Sequence, residues 1–391
     1  FTIESYSNVM YVSKDNAGAA APYSTPETAA ARVEDALKVA PDGTRIIVAP
    51  DTYSITETLM LTNEVKIVGA TGNRDDVIFD AGDKDNRRVA WLDNENTAVE
   101  NVTFTRGRTT GRAFGVYSKG FLRNCRITNC CMYYNGGSRD TVPHSALYVA
   151  GGSVLNCLID NNRLCDMYRS GQTSQPEGIG ICLVDGIVDR CVVTNNYDYQ
   201  TFSQNAYKGG SGDGGTAGGV YLTGGIMRNS LVAWNKISHL SPVKWDQSYA
   251  GGVVVAGGTF INNTVIGNQL KEFDNSKTCT FGSLIVKGSG VVKNTLVKDN
   301  LNITMQGEEY EPAPVASGAG QLVNCSTAEN SYFFHNGELR IKANSPCCNN
   351  GSNEDWMAYA ADLNGKPRLH GRRVDIGAVE SQSDGMMIII K

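Results

Sequence analysis

Eight nine-residue segments constrain this chain more than any other feature of it. In order they read VENVTFTRG (99–107), LRNCRITNC (122–130), VLNCLIDNN (154–162), VDRCVVTNN (188–196), MRNSLVAWN (227–235), FINNTVIGN (260–268), VKNTLVKDN (292–300) and LVNCSTAEN (322–330). The third position is Asn in every segment but one, where Arg190 stands, and the ninth is Asn in the last six. Third positions follow one another at 23, 32, 34, 39, 33, 32 and 30 residues. Before most segments stands a second short apolar run with a glycine turn, as in ALYVAGGSV (146–154), GVYLTGGIM (219–227) and GVVVAGGTF (252–260). These runs are short, β-branched and roughly alternating, which is strand patterning; a helix would show a 3.6-residue period over ten or more residues. One such unit cannot bury its own apolar face. Stacked units can, each adding strands at ~4.8 Å, so eight coils make a rod of roughly 40 Å. The expected fold is therefore all-β: a right-handed parallel β-helix solenoid.

The remaining chain falls around this array. Residues 1–98 are expected to form an N-terminal cap and the first coils, 99–330 the repeats with loops on one side, and 331–391 an irregular C-terminal cap with a terminal strand, all in one structural domain. Both ends of a stacked solenoid expose an edge that needs covering. At the N-terminus Ser24-Thr25-Pro26-Glu27 offers a capping box, and Val33, Ala36, Leu37 and Ala40 form an apolar stripe, which predicts a short capping helix over 26–40. Recurrent Asn side chains in adjacent coils are expected to hydrogen-bond along the stack. Cys125, Cys157, Cys191 and Cys325 share the fourth position and are read as inward-facing thiols acting as small hydrophobes. Cys347 and Cys348, in the irregular end, are better placed for a disulfide.

The opening residues YVS (11–13), GTRIIVAPDTY (43–53) and VKIVGATG (65–72) resemble the start of secreted bacterial pectate-lyase-like β-helix proteins. The end, SPCCNNG (345–351), DLNGKPRL (362–369) and RVDIGAVE (373–380), is similar to the closing segment of β-helix proteins carried on cell surfaces. The resemblance implies the fold and a secreted or cell-surface location of bacterial type. It does not imply one activity, because that superfamily mixes lyases, glycosidases, adhesins and structural rods. The start at Phe1 fits a mature exported chain.

Composition excludes some classes. The formal net charge of −5 argues against nucleic acid or an anionic membrane as a partner of the whole molecule. No apolar run approaches the ~20 residues of a membrane span. Hydrolysis by a glycosidase would need paired carboxylates on adjacent coils, and a calcium-dependent lyase would need acidic oxygens converging on one face. Asp185 and Asp189 flank a glycine turn and read as ordinary outward positions, and none of His144, His239, His335 and His370 has ligand-like spacing. No catalytic residue, metal site or cofactor emerges; calcium is the cofactor such a fold admits, and no residue set marks a place for it.

The most unusual local feature is electrostatic. Arg106, Arg108, Arg112, Lys119, Arg123, Arg126 and Arg139 fall in a stretch without a single acid. Pointing one way they would grip an acidic polysaccharide through guanidinium forks; pointing different ways they would be a solvated surface. Loop aromatics, among them Tyr133, Tyr134, Tyr168, Tyr197, Tyr199, Tyr207, Trp245 and Tyr249, are the stacking candidates for sugar. The strand-like end Met386, Met387, Ile388, Ile389 and Ile390 is a candidate for pairing with a neighbouring molecule, giving head-to-tail self-association. The function expected is a non-catalytic extracellular structural or adhesive protein, a filament or surface-layer subunit. The alternatives are a polysaccharide lyase or glycosidase acting on an acidic polysaccharide, and a carbohydrate-binding module.

Overall fold

The computed structural model describes residues 8–132, 144–165, 169–173, 177–199, 207–210, 215–238, 248–271, 280–303, 310–312 and 315–381. Its architecture is a parallel β-helix. A first sheet of twenty strands takes up to two strands from each coil, a second sheet takes one strand from each of nine successive coils, and a third sheet has eight strands. Every pairing in the first two is parallel. The third ends in one antiparallel pairing, Leu301–Ile303 with Tyr310–Pro312. The register never slips at the core column. Met10, Ile46, Ile67, Val99, Leu122, Val154, Val188, Met227, Phe260, Val292 and Leu322 stand on one another through consecutive coils. Period-two alternation makes that register compulsory, since a one-residue slip would send the whole column into water. One apolar cluster runs from Met10 to Val297.

The repeated Asn does two different jobs. At the third position Asn101, Asn124, Asn156, Asn229, Asn262, Asn294 and Asn324, with Arg190 in the same place, hold φ between 46° and 59°, turning the chain from the first sheet into the second. Asn tolerates this left-handed conformation better than other residues with a Cβ. A second left-handed corner follows at the eighth position, at Arg106, Asn129, Asn161, Asn195, Trp234, Gly267 and Asp299. The ladder expected of the recurrent Asn runs along the ninth position, while at the third Asn124 Nδ2 donates to Asn101 Oδ1 at 2.9 Å. The Nδ2 groups of Asn162, Asn196, Asn235 and Asn268 each donate to the Oδ1 of the Asn one coil on at 2.9 Å, the last accepting group being Asn300. Each Oδ1 also takes a backbone N–H from the coil before, so the buried corner keeps its polar groups satisfied.

The fourth position forms a parallel ladder of mixed chemistry. The Cys125 N–H donates to Cys157 Sγ at 3.4 Å and the Cys157 N–H to Cys191 Sγ at 3.4 Å. The Cys191 N–H then donates to Ser230 Oγ at 3.0 Å, and the Ser230 N–H to Asn263 Oδ1 at 2.8 Å. The thiols are buried, as expected, and they are also acceptors, standing where hydroxyl and amide stand further up. The bridge expected of Cys347 or Cys348 is not formed. Cys347 is buried among apolar side chains and the Cys348 thiol donates to Lys342 O at 3.3 Å, with no sulfur partner for either among the described residues.

One further expectation needs correction. The helix spans Val33–Val39 only. Residues 25–30 are claimed by the edge strand and a turn: the Ala30 N–H donates to Tyr11 O, the Ser13 N–H to Ala30 O, and Thr25 and Thr28 bond each other through their hydroxyls. Backbone pairing with the first coil outcompetes the capping box. Val33 and Ala36, both 0% exposed, close that end of the core. Residues 331–381 run back along the side of the rod as a strap, packing Leu339, Ile341, Ile376, Ala378 and Val379 on Leu231, Ala233, Ile266 and Leu296 of the second sheet. Leu322, the last member of the core column, is 38% exposed.

Candidate functional site

The basic stretch comes apart in the fold. Arg123 lies on the first sheet, Arg126 on the second, Arg108 on the third and Arg106 at a corner. Acids from neighbouring coils meet nearly all of them. Arg106 bonds both oxygens of Asp80, Nε to Oδ1 at 2.6 Å. Arg108 lies 2.9 Å from Asp85, Lys119 2.7 Å from Asp93 and Arg123 3.9 Å from Glu100. Arg126 grips Asp160 in bidentate fashion at 2.9 and 2.7 Å, with Asp75 at 3.5 Å. The hydrogen-bonded carboxylates strengthen the basicity of Arg106, Lys119 and Arg126. Arg112 stacks over the Tyr148 ring at 4.9 Å. Arg139, His239, Tyr133, Tyr134, Tyr168 and Trp245, like Met386–Ile390, lie outside the described residues. Asp189 pairs with Arg228 at 2.9 Å, and His144 and Tyr249 are buried. Among the described residues no three His, Cys, Asp or Glu side chains gather as a metal would require, and no helix is long and apolar enough to cross a membrane.

A different set of residues meets where the strap ends on the second sheet. A groove of about 930 Å³ opens there. Leu158, Val192 and Leu231, at successive coils of the outer column, make its apolar floor. One wall is the first corner, with Asn124, Asn156 and Arg190; the other is the strap, with Phe334, Gly337, Leu339, Leu363 and Asn364. Arg74 closes the low end. Its Nη1 donates to Asn156 O at 3.0 Å, and the Asn156 N–H in turn donates to Asp189 O at 3.2 Å, next to Arg190. Arg74 and Arg190 both line the groove. Among the described residues neither has a carboxylate within ion-pair distance, in contrast with the paired cations above. The groove's acid, Glu338, is already held by Arg340 at 2.9 Å.

Trp234 supplies the aromatic face. It occupies a left-handed corner at φ 55°, is 47% exposed, and its ring lies 5.3 Å from that of Phe334. Gly267, one coil on, makes room for it: a Cβ there would sit 2.6 Å from the indole. Two sequence signals bear on this site, Arg190 as the exception in a column of Asn and Trp as an odd occupant of the eighth position. Arg74 and the strap hairpin, Tyr332–His335 paired antiparallel with Glu338–Ile341, carry none.

No family model matches the chain, and no curated protein resembles it in sequence. Solved structures do resemble it in shape. Pectate lyase Pel9A superposes over 96% of this chain and 97% of its own, at 14% identity and a TM-score of 0.51. A rhamnogalacturonan lyase covers 95% and 96%, at 13% identity and a TM-score of 0.40. The likeness to Pel9A is one of fold: the two chains share the parallel β-helix along nearly their whole length.

Proposed function

We propose that this protein is an extracellular, adhesive β-helix that holds an acidic polysaccharide in the groove between its second sheet and its strap. The observation behind this reading is that Arg74 and Arg190, without carboxylate partners among the described residues, flank an apolar floor beside the exposed Trp234. Guanidinium forks match sugar carboxylates and an indole face matches the apolar face of a pyranose ring. The sheets are rigid, so the groups are held in place before the ligand arrives. On this reading the protein acts at the cell surface by binding, and self-association would multiply the contacts along a polymer.

The test is calorimetric titration with oligogalacturonate and alginate oligomers beside a neutral cello-oligosaccharide. Acidic oligomers are expected to bind, and Arg190→Ala to weaken them about 10- to 100-fold, the value of one charge-assisted hydrogen bond. Equal binding by Arg190→Ala overturns the assignment. Appearance of unsaturated uronate in the ultraviolet during the same titration would turn the groove into a lyase site and replace the adhesive reading.

A further inference from the structure

The closing motifs DLNGKPRL and RVDIGAVE supply four charged side chains that the groove does not use. Asp362, Arg368, Asp375 and Glu380 come together inside the strap, all buried, with Arg368 at 0% exposure. Arg368 Nη2 donates to Asp375 O at 2.7 Å and lies 3.1 Å from Glu380 Oε1, while its Nε and Nη1 find no partner among the described residues. Glu380 accepts the Asp375 N–H at 3.0 Å, and Asp362 accepts the N–H groups of Asn364, Lys366 and Glu380 at 2.9, 2.8 and 2.9 Å. Asp375 accepts those of Asn349 and Ser381. From the rod the charged group that faces them is Asp189, already paired with Arg228; Cys348 borders Asp375 within the strap. One buried cation therefore confronts three buried carboxylates. Full ionisation would leave uncompensated negative charge in a dry interior, the most expensive arrangement a fold can hold.

The same cluster ties down what docks the strap. Between Asp375 and Glu380 lie Ile376, Ala378 and Val379, which pack on the second sheet. The Gly377 N–H donates to Asn294 O at 2.9 Å and the Ala378 N–H to Thr264 Oγ1 at 2.9 Å. The Leu363 N–H donates to Ala378 O at 2.9 Å, and Leu363 and Asn364 are groove wall. The charge state of the cluster is thus wired to the grip on the rod and to the shape of the groove.

We propose that the strap is a pH-operated clamp: it grips the second sheet while its buried cluster keeps a proton and loosens as that proton is lost, opening the groove wall while the rod stays folded. The direction follows from the chemistry. Burial pushes Glu380 up to about 8, against the pull of Arg368, with Asp375 and Asp362 repelling its charge; burial raises Asp362 as well. A carboxyl whose docked pKa lies above its free value stabilises docking fully below the ordinary carboxylate range, and that contribution is lost as pH rises through about 8. The clamp does not depend on what the groove binds.

Hydrogen exchange of the full chain, read by mass spectrometry and corrected for the intrinsic pH dependence of exchange, tests this. Protection of peptides within 332–381 is expected to fall about tenfold per pH unit between pH 5 and 8 and to level off above, as release of one proton requires, while 192–196 and 231–235 hold theirs. Glu380→Gln, which keeps an acceptor for the Asp375 N–H without a titrating group, is expected to flatten the strap profile. Strap protection that ignores pH, strap and rod that lose protection together, or an unchanged profile in Glu380→Gln overturns the clamp. Should that variant fail to fold, Asp362→Asn, which removes a carboxylate that raises Glu380, is expected to make the total fall in strap protection smaller and to bring its levelling off to lower pH; an unchanged profile overturns it equally.

Discussion

Along the rod, the buried polar groups that repeat at one-coil spacing are amides, hydroxyls and thiols. In the strap, buried charges gather in one cluster, each present once. Asn196 gives and takes hydrogen bonds with neighbours of its own kind on both sides, whereas Arg368 has three acidic neighbours and two nitrogens with no partner among the described residues. A column of neutral groups is insensitive to solvent conditions and cooperative along its length. A buried charge cluster is sensitive to pH and confined to its own segment. The difference teaches how one chain can combine a permanent scaffold with a conditional attachment.

Substitution separates the two. Asn235→Ala removes the Oδ1 that accepts the Asn196 N–H and Nδ2, and the Nδ2 that donates to Val193 O and Asn268 Oδ1. Leaving several buried groups unpaired is expected to cost the rod about 4 kcal/mol in urea unfolding followed by circular dichroism; a loss below about 1 kcal/mol would mean that water enters the column and that the ladder is ornamental. Ile376→Ala, at 4% exposure, is expected to weaken strap docking by about 2–3 kcal/mol without moving the rod's transition. A shifted rod midpoint would show that the two regions unfold as one. Lys119→Ala, removing an exposed and solvent-screened pair with Asp93, is expected to leave the unfolding midpoint where it was. It is also expected to leave polysaccharide binding as it was, in contrast to Arg190→Ala; a comparable loss of binding would return the first basic stretch to the site.

The rod was legible because its signals repeat. The third-position Asn, present in seven segments, marks a corner and the ninth, present in six, a ladder, and that repetition outvotes any local ambiguity. What the sequence hides is whatever depends on which coil lies above or below. Arg106, Arg123 and Arg126 look like an unopposed basic run because Asp80, Glu100 and Asp160 sit in neighbouring coils, 26, 23 and 34 residues away along the chain. The groove was illegible for a related reason. Arg74 precedes the repeats, Arg190 and Trp234 stand on separate coils, and Phe334 belongs to a segment whose place against the second sheet no period announces. The capping box at Ser24-Thr25 is not used as a helix start, since pairing of Ala30 with Tyr11 supplies a better use for the same stretch of backbone.

The strap fastens to the flank of the rod, while Leu322 on the last coil stays 38% exposed. A lid seated on the last coil would have to be rebuilt whenever that coil changed. A fastening on the flank does not: its footprint on Leu231, Ala233, Ile266 and Leu296 survives the gain or loss of coils beyond it. In such a design the number of turns becomes a heritable variable, open to duplication and deletion at the distal edge, while the binding groove and its fastening pass unaltered from one length of protein to the next.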